Sequence, residues 1–183
     1  RPQVGDRIAV VGGGAVGSMA AWLAGRIPGC AVTLVDVDPA RARVAQTLGV
    51  AFALPDDARG DTDVVIHASG SASGLSLAIA LAGDEAAVVE LSWHGTTPVP
   101  LALGGAFHAR RLTLKSSQVG HLAPSQQTRW DCGRRLRLAL RLLADEALDV
   151  LVSGEDEFDD SPRVLAALAS SAGGALCHRI RYP

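Results

Sequence analysis

Ile8-Ala9-Val10-Val11-Gly12-Gly13-Gly14-Ala15-Val16-Gly17 is a β-branched run that opens into a glycine turn and then into a helix-forming run. Gly12, Gly14 and Gly17 fill a G-x-G-x-x-G pattern, and a second apolar run ends at Asp36, 19 positions after the last of these glycines. This is the layout of a dinucleotide-binding fingerprint. Gly12 permits the tight turn out of the strand, Gly14 lets backbone approach a pyrophosphate, and Gly17 lets the helix pack close to the sheet. The helix that follows offers unpaired N–H groups and the positive end of its dipole to the phosphates.

Glycines also collect in ordinary turns, so context decides. Thr33-Leu34-Val35-Asp36 is apolar up to its acid, as expected of a buried parallel strand whose carboxyl end meets a ligand. A carboxylate there accepts both ribose hydroxyls of the adenosine half of NAD and repels a ribose phosphate, which favours NAD over NADP. Arg41 is a nearby cation able to receive a 2′-phosphate. The plainer reading of Asp36 is a cap for the helix beginning near Pro39.

The 183-residue chain has length for one good core, or for one domain with an appendage. With 48% apolar residues, 20% charged residues and a net charge of −2, the expectation is a soluble globular protein without the field of a nucleic-acid binder. Apolar stretches fall short of 18 residues, against a membrane span, and no signal peptide is seen. Cys30, Cys132 and Cys177 are odd in number and far apart, which fits a reducing cytoplasm with each thiol buried or half-buried. His67, His94, His108, His121 and His178 are scattered without helical i, i+4 spacing, so no metal centre is expected. Arg1-Pro2-Gln3 carries no initiator methionine, which reads as a piece of a longer protein or as ordinary trimming.

Apolar runs alternate with helix-period runs, predicting a doubly wound parallel α/β sheet, a Rossmann fold. Strands are expected at 7–12, 31–36, 63–68, 86–91 and 111–116, with a further short one at 50–53. Helices are expected at 15–26, 39–48 and 73–81, and a short one near 101–107. Beyond Gly120 the character changes. Residues 129–143 form a basic amphipathic stretch, offset by acids from Asp145 to Glu157, whose default is a solvated helix face. A last helix at 162–170, capped by Ser161, precedes an extended tail at 176–182. This divides the chain into 1–120, a nucleotide-binding domain, and 121–183, a C-terminal segment.

Taken together, Gly5-Asp6-Arg7-Ile8-Ala9-Val10-Val11-Gly12-Gly13-Gly14-Ala15-Val16-Gly17, then Val35-Asp36-Val37-Asp38-Pro39-Ala40-Arg41, then Asp63-Val64-Val65-Ile66-His67-Ala68-Ser69-Gly70, resemble the cofactor-binding half of the medium-chain, zinc alcohol dehydrogenase-like family. Ala87 to Leu91, Leu112 to Ser117 and Asp149 to Ala167 extend the resemblance over nearly the whole chain. It implies that Gly12 to Gly17 hold the pyrophosphate, that Asp36 and Arg41 bind the adenosine ribose, and that Ala68, Ser69 and Gly70 line the adenine and ribose path. It also implies that Leu91, Trp93, Ser117 and Val119 face the nicotinamide, and that a tail residue, His178 or Arg179, reaches the pyrophosphate, although an alternating strand tail explains those two equally well.

The implied activity is hydride transfer between an alcohol or carbonyl substrate and NAD(H), and a homodimer through the strand near Leu112 is a further expectation. The family's zinc ligands lie upstream of the segment present here, so zinc belongs to an absent domain, no catalytic residue is carried over and this chain alone is expected to be inactive. Ser92-Trp93-His94 stands where many relatives have a small glycine-containing turn, and Glu90 stands in a normally apolar strand. Trp93 is either a pocket wall or a core residue, His94 either a proton relay or a surface histidine, and Glu90 either a buried carboxyl with raised pKa or an exposed strand end. The rival reading of the whole chain is a non-catalytic NAD(H)-sensing module.

Overall fold

The structure is a computed structural model describing residues 2–170 and 174–183. Its centre is a six-stranded parallel sheet in the order β3-β2-β1-β4-β5-β6, with β1 (Arg7–Val11), β2 (Ala31–Val35), β3 (Ala51–Ala53), β4 (Thr62–His67), β5 (Ala82–Glu90) and β6 (Thr113–Ser116). Helices α1 (Ala15–Ala24), α2 (Arg41–Leu48) and α3 (Ala72–Leu81) make the first crossovers. Parallel neighbours require crossovers, and these place helices on both faces, so the strands must be apolar on both sides. Accordingly Ile8, Val10, Val32, Leu34, Val64 and Ile66 pack with α1 and α2 residues such as Ala21 and Ala45. Ala9, Val11, Val35, Val65 and Val88 pack with Leu75, Ala78 and Ile79 of α3 on the other face. Each fully buried side chain of the size of Ile8 or Leu34 contributes about 1.5–3 kcal/mol.

Chain direction across the sheet reverses between β1 and β4. The order runs outward one way to β3 and the other way to β6, so the carboxyl ends of β1 and β4 border a crevice at the topological switch point. Three boundaries differ from the sequence expectation for local reasons. α2 starts at Arg41 rather than Pro39, because Asp38 holds the preceding residues in a turn by accepting the Ala40 N–H at 2.9 Å. β5 begins four residues early, at Ala82, and is irregular against β4 between Thr62 and Val64, where Glu85 takes a left-handed φ of 60°. Residues 103–107 form irregular turns broken at Gly105 rather than a regular helix.

The C-terminal segment docks through a turn at 146–151, whose Leu148 and Leu151 pack on Trp22 of α1 and on Val44 and Leu48 of α2. Helix α4 (Cys132–Leu142) is capped by Asp131, which accepts the Arg134 N–H at 2.6 Å. Its Leu136 and Leu140 are exposed, and Cys132 is exposed rather than half-buried. β7 (Val152–Glu157) and β8 (Cys177–Arg181) form a second, parallel two-stranded sheet, linked through α5 (Ser161–Ser170). Ser161 lies inside α5, not at its cap, because the turn at 158–160 already leads into the helix. The tail basic residues are spoken for: His178 Nε2 meets Asp156 Oδ2 at 2.8 Å, and Arg179 and Arg181 pair with Glu155 and Glu157. His178 and Arg179 lie on β8 and pair with acids of β7, in keeping with the alternating-strand reading of the tail. Among the described residues no helix is long and apolar enough to cross a membrane.

Candidate functional site

The glycine turn sits at the mouth of the crevice. Gly12 takes φ +107°, which an L side chain rarely adopts, and a Cβ there would lie 2.5 Å from the Ser69 nitrogen. A Cβ on Gly17 would lie 1.8 Å from the Gly12 carbonyl oxygen, so only glycine lets α1 approach β1. Gly14 is different, with open space where its side chain would be. It caps α1 without a side-chain hydrogen bond, and no acid stands in the first turn. Among the described residues no side chain satisfies the N–H groups of the opening turn at Ala15 and Val16, a favourable seat for an anion.

Asp36 follows β2 directly and reaches across to the turn. Its Oδ2 accepts the Gly13 N–H at 2.5 Å and its Oδ1 accepts the Asp38 N–H at 2.8 Å. The carboxylate thus braces the glycine turn and caps no helix. Arg41 lies beside it, with Nε 3.4 Å from Asp38 Oδ2 and its side chain largely buried. A cavity of about 500 Å³ opens here, bounded by Gly12, Gly14, Asp36, Ala68 and Ser69, with Val37, Pro55 and Leu77 supplying apolar wall. That is a usual size for a small-molecule site, with apolar walls and a few convergent polar groups.

β4 and β5 end in a polar cluster. His67 and Glu90 are register partners on neighbouring strands. His67 is fully buried, with Nδ1 2.6 Å from Glu90 Oε2 and Nε2 2.6 Å from Ser69 Oγ. Glu90 Oε1 accepts the Ser92 N–H at 2.6 Å, and Ser92 Oγ accepts the Gly70 N–H at 3.0 Å. His94 folds back over this pair, its ring stacked on His67 at 6.1 Å and its Nε2 3.6 Å from Glu90 Oε2. It is not a surface histidine. Burial pushes the Glu90 carboxyl up, but hydrogen bonds from His67 and Ser92 and the His67 charge outweigh it, leaving Glu90 below the usual carboxylate range rather than above it. The ligand-type atoms of His67, Glu90 and His94 lie within 4.8 Å of one another. In this arrangement both ring nitrogens of His67 are engaged at 2.6 Å, by Glu90 and by Ser69.

The remaining predicted residues are distributed along the same carboxyl edge of the sheet. Leu91 and Ser117 continue β5 and β6, the Leu91 N–H bonding the His67 carbonyl and the Ser117 N–H the Glu90 carbonyl, each at 2.8 Å. Trp93 is 91% exposed and Val119 79% exposed, so Trp93 is not a core residue. Leu91, Trp93, Ser117, Val119 and Arg41 do not line the cavity that Gly12, Asp36 and Ser69 share. His67, which the sequence does not single out, is joined to Glu90 and Ser69 beside the cavity. The signal was present in two polar residues, His67 and Glu90, each ending an otherwise apolar strand.

A doubly wound parallel sheet with a glycine turn and an acid at its switch point defines the Rossmann-like class of α/β fold. Neither family models nor curated proteins give a match. Among solved structures the chain is similar to a putative zinc-binding dehydrogenase from Sinorhizobium meliloti bound to NADP, with TM-score 0.76 and 23% identity over 98% of this chain and 54% of the other. It is similar also to an alcohol dehydrogenase from Thermotoga maritima, with TM-score 0.80 and 15% identity over 100% of this chain and 52% of the other. A zinc-binding-domain alcohol dehydrogenase protein from Burkholderia ambifaria gives TM-score 0.76 and 21% identity over 100% and 50%. At these identities the likeness is one of fold, and the chain spans about half the length of each of these proteins.

Proposed function

We propose that this chain is the NAD-binding portion of an alcohol dehydrogenase-like oxidoreductase, in which hydride passes between an alcohol or carbonyl substrate and the nicotinamide. The observation that carries the reading is the crevice at the β1/β4 switch point, where an α1 amino terminus free of side-chain caps faces a 500 Å³ cavity bordered by Asp36. In this reading Gly12 to Gly17 seat the pyrophosphate, Asp36 and Arg41 hold the adenosine ribose, and Ala68, Ser69 and Gly70 wall the path between them. Leu91, Trp93, Ser117 and Val119, on the same carboxyl edge, contact the nicotinamide end.

The hydride chemistry is the nicotinamide's own, and this chain's residues bind and orient it. Zinc, the catalytic residues and the wall that excludes water belong to a further domain in this reading, so the chain alone is inactive in turnover. Residues 1–120 act as the nucleotide-binding unit and 121–183 as the segment completing the other domain. The setting is the cytoplasm, and β6, the sheet edge, pairs with its counterpart in a homodimer.

In this reading NAD is favoured over NADP, because a carboxylate at the end of β2 repels a 2′-phosphate, even though one fold neighbour carries NADP. Titration of NADH, followed by its fluorescence, tests this. Saturable binding that weakens in Asp36→Ala and exceeds NADPH binding is expected. Equal affinity in the variant, or tighter NADPH binding, refutes the assignment.

A further inference from the structure

Polar side chains run in line from inside the sheet to the cavity wall. From the Glu90–His67 pair the line passes to Ser69 Oγ, then 3.0 Å to Ser71 Oγ and 3.4 Å to Ser73 Oγ. His67 is fully buried, whereas Ser69, Ser71 and Ser73 line the cavity that Gly12 and Gly14 border. A titratable pair in the interior is thereby joined to a row of hydroxyls on the crevice surface.

Each serine hydroxyl has one hydrogen to give. With His67 neutral and its proton on Nδ1 toward Glu90, Nε2 accepts, so Ser69 donates inward and Ser71 can donate to Ser69. With His67 protonated, Nε2 donates to Ser69 Oγ, and the Ser69 hydrogen turns outward to Ser71 or into the cavity. The Ser71 and Gly74 N–H groups donate to Ser69 Oγ and Ser71 Oγ at 3.2 and 3.0 Å in either state. The oxygens therefore stay in place while the hydrogens reverse. The titratable groups facing His67 are Glu90 from β5 and His94 from the loop after it. β1 presents Val11, and α3 presents Gly74 beneath the serines. Glu90 Oε1 is held as an acceptor by the Ser92 N–H, and Oε2 faces the His67 ring.

We propose that the Glu90–His67–Ser69 chain couples binding of a phosphate-bearing nucleotide to proton uptake. A phosphoryl oxygen only accepts hydrogen bonds. Seated beside Gly12, whose Cβ position is 2.5 Å from the Ser69 backbone, it selects the outward-pointing hydroxyls and draws one proton from solution onto His67. The inference rests on the nucleotide site proposed above.

The test is calorimetric titration of the 183-residue chain with NADH, whose pyrophosphate does not titrate near neutrality, in two buffers of different ionisation enthalpy, with adenosine as the phosphate-free comparison. The expected result is uptake of up to about half a proton with NADH and less with adenosine, and NADH affinity roughly three- to tenfold tighter at about pH 6 than at about pH 8. His67→Gln removes the uptake. Ser69→Ala, which leaves the buried pair in place, reduces it and decides the matter if the His67 variant does not fold. NADH binding with buffer-independent heats and equal affinity at both pH values, or undiminished uptake in Ser69→Ala, overturns the coupling and leaves the nucleotide site standing. Absence of NADH binding at every pH overturns both.

Discussion

Gly17→Ala sets helix propensity against sterics within one methyl group. In a helix interior alanine is favoured over glycine by about 1 kcal/mol, so in open space the change stabilises. Here the new Cβ would lie 1.8 Å from the Gly12 carbonyl oxygen and 3.4 Å from Ala68 Cβ. Relief requires α1 to lift from the sheet or the Gly12 carbonyl to turn by more than an ångström. The second route is closed, because Gly12 donates to the Val35 carbonyl at 2.8 Å and has the Ser69 backbone against its other side. Overpacking against backbone costs about 1–3 kcal/mol or more, so sterics win and a net loss of about 1–3 kcal/mol is expected.

Gly133→Ala in α4 is the control. There the added Cβ meets only side-chain atoms, Arg137 Nη1 and the capping Asp131 Oδ1, both at 3.3 Å, so the propensity gain is set against a small shift of the cap and a change within about 1 kcal/mol of zero is expected. Urea unfolding followed by far-UV circular dichroism reads both changes from midpoints at constant slope. If Gly17→Ala equals or exceeds the parent in stability while Gly133→Ala behaves as expected, the account of the α1–β1 approach is wrong.

Glu90→Gln tests the polar cluster through acid stability. Glu90 is more acidic folded than unfolded, so it adds stability that is fully present above its unfolded pKa of about 4.3 and is lost as pH falls through the lower folded value. Thermal unfolding from neutral pH down to about pH 3 should show the parent losing stability more steeply than the variant below about pH 4.5, and parallel curves would contradict the sign. At neutral pH the variant should be less stable by about 1–3 kcal/mol, because His67 loses a charged partner in a buried site. For the proposed homodimer, light scattering should give twice the chain mass, and a charged Glu substitution at Leu114 of the edge strand should lower it. A monomer mass for the parent at every concentration removes that proposal.

Much of this fold was legible because burial on both faces of a parallel sheet writes itself as continuous apolar runs. β1, β2 and β4 are such runs, and their bounds agree with the expected ones to within a residue. β5 was placed short because its first half, Ala82 to Ala86, carries Gly83, Asp84 and Glu85, which match no strand period and are accommodated by a bulge. Of the candidate site, the glycine turn was readable because its roles depend on a missing Cβ and a fixed spacing. The bond from the Gly13 N–H to Asp36 was not, since it depends on how the β1 and β2 ends converge. The His67–Glu90 pairing was hidden for the same reason: 23 positions separate two residues that only strand register makes neighbours. Desolvation alone predicts a raised Glu90 pKa, and the partners that reverse it are visible only in three dimensions.

The two sheets of this chain are held by different forces, and that gives them different sensitivities to the medium. The large sheet is sealed by apolar side chains on both faces. The pairing of β7 with β8 is lined by Glu155, Asp156 and Glu157 facing His178, Arg179 and Arg181, most of them in contact with water. Dissolved ions screen the second kind of attachment and leave the first almost untouched. Rising ionic strength should therefore loosen the carboxyl-terminal ribbon while the nucleotide crevice keeps its shape, making salt a means of softening one end of the molecule independently of the other.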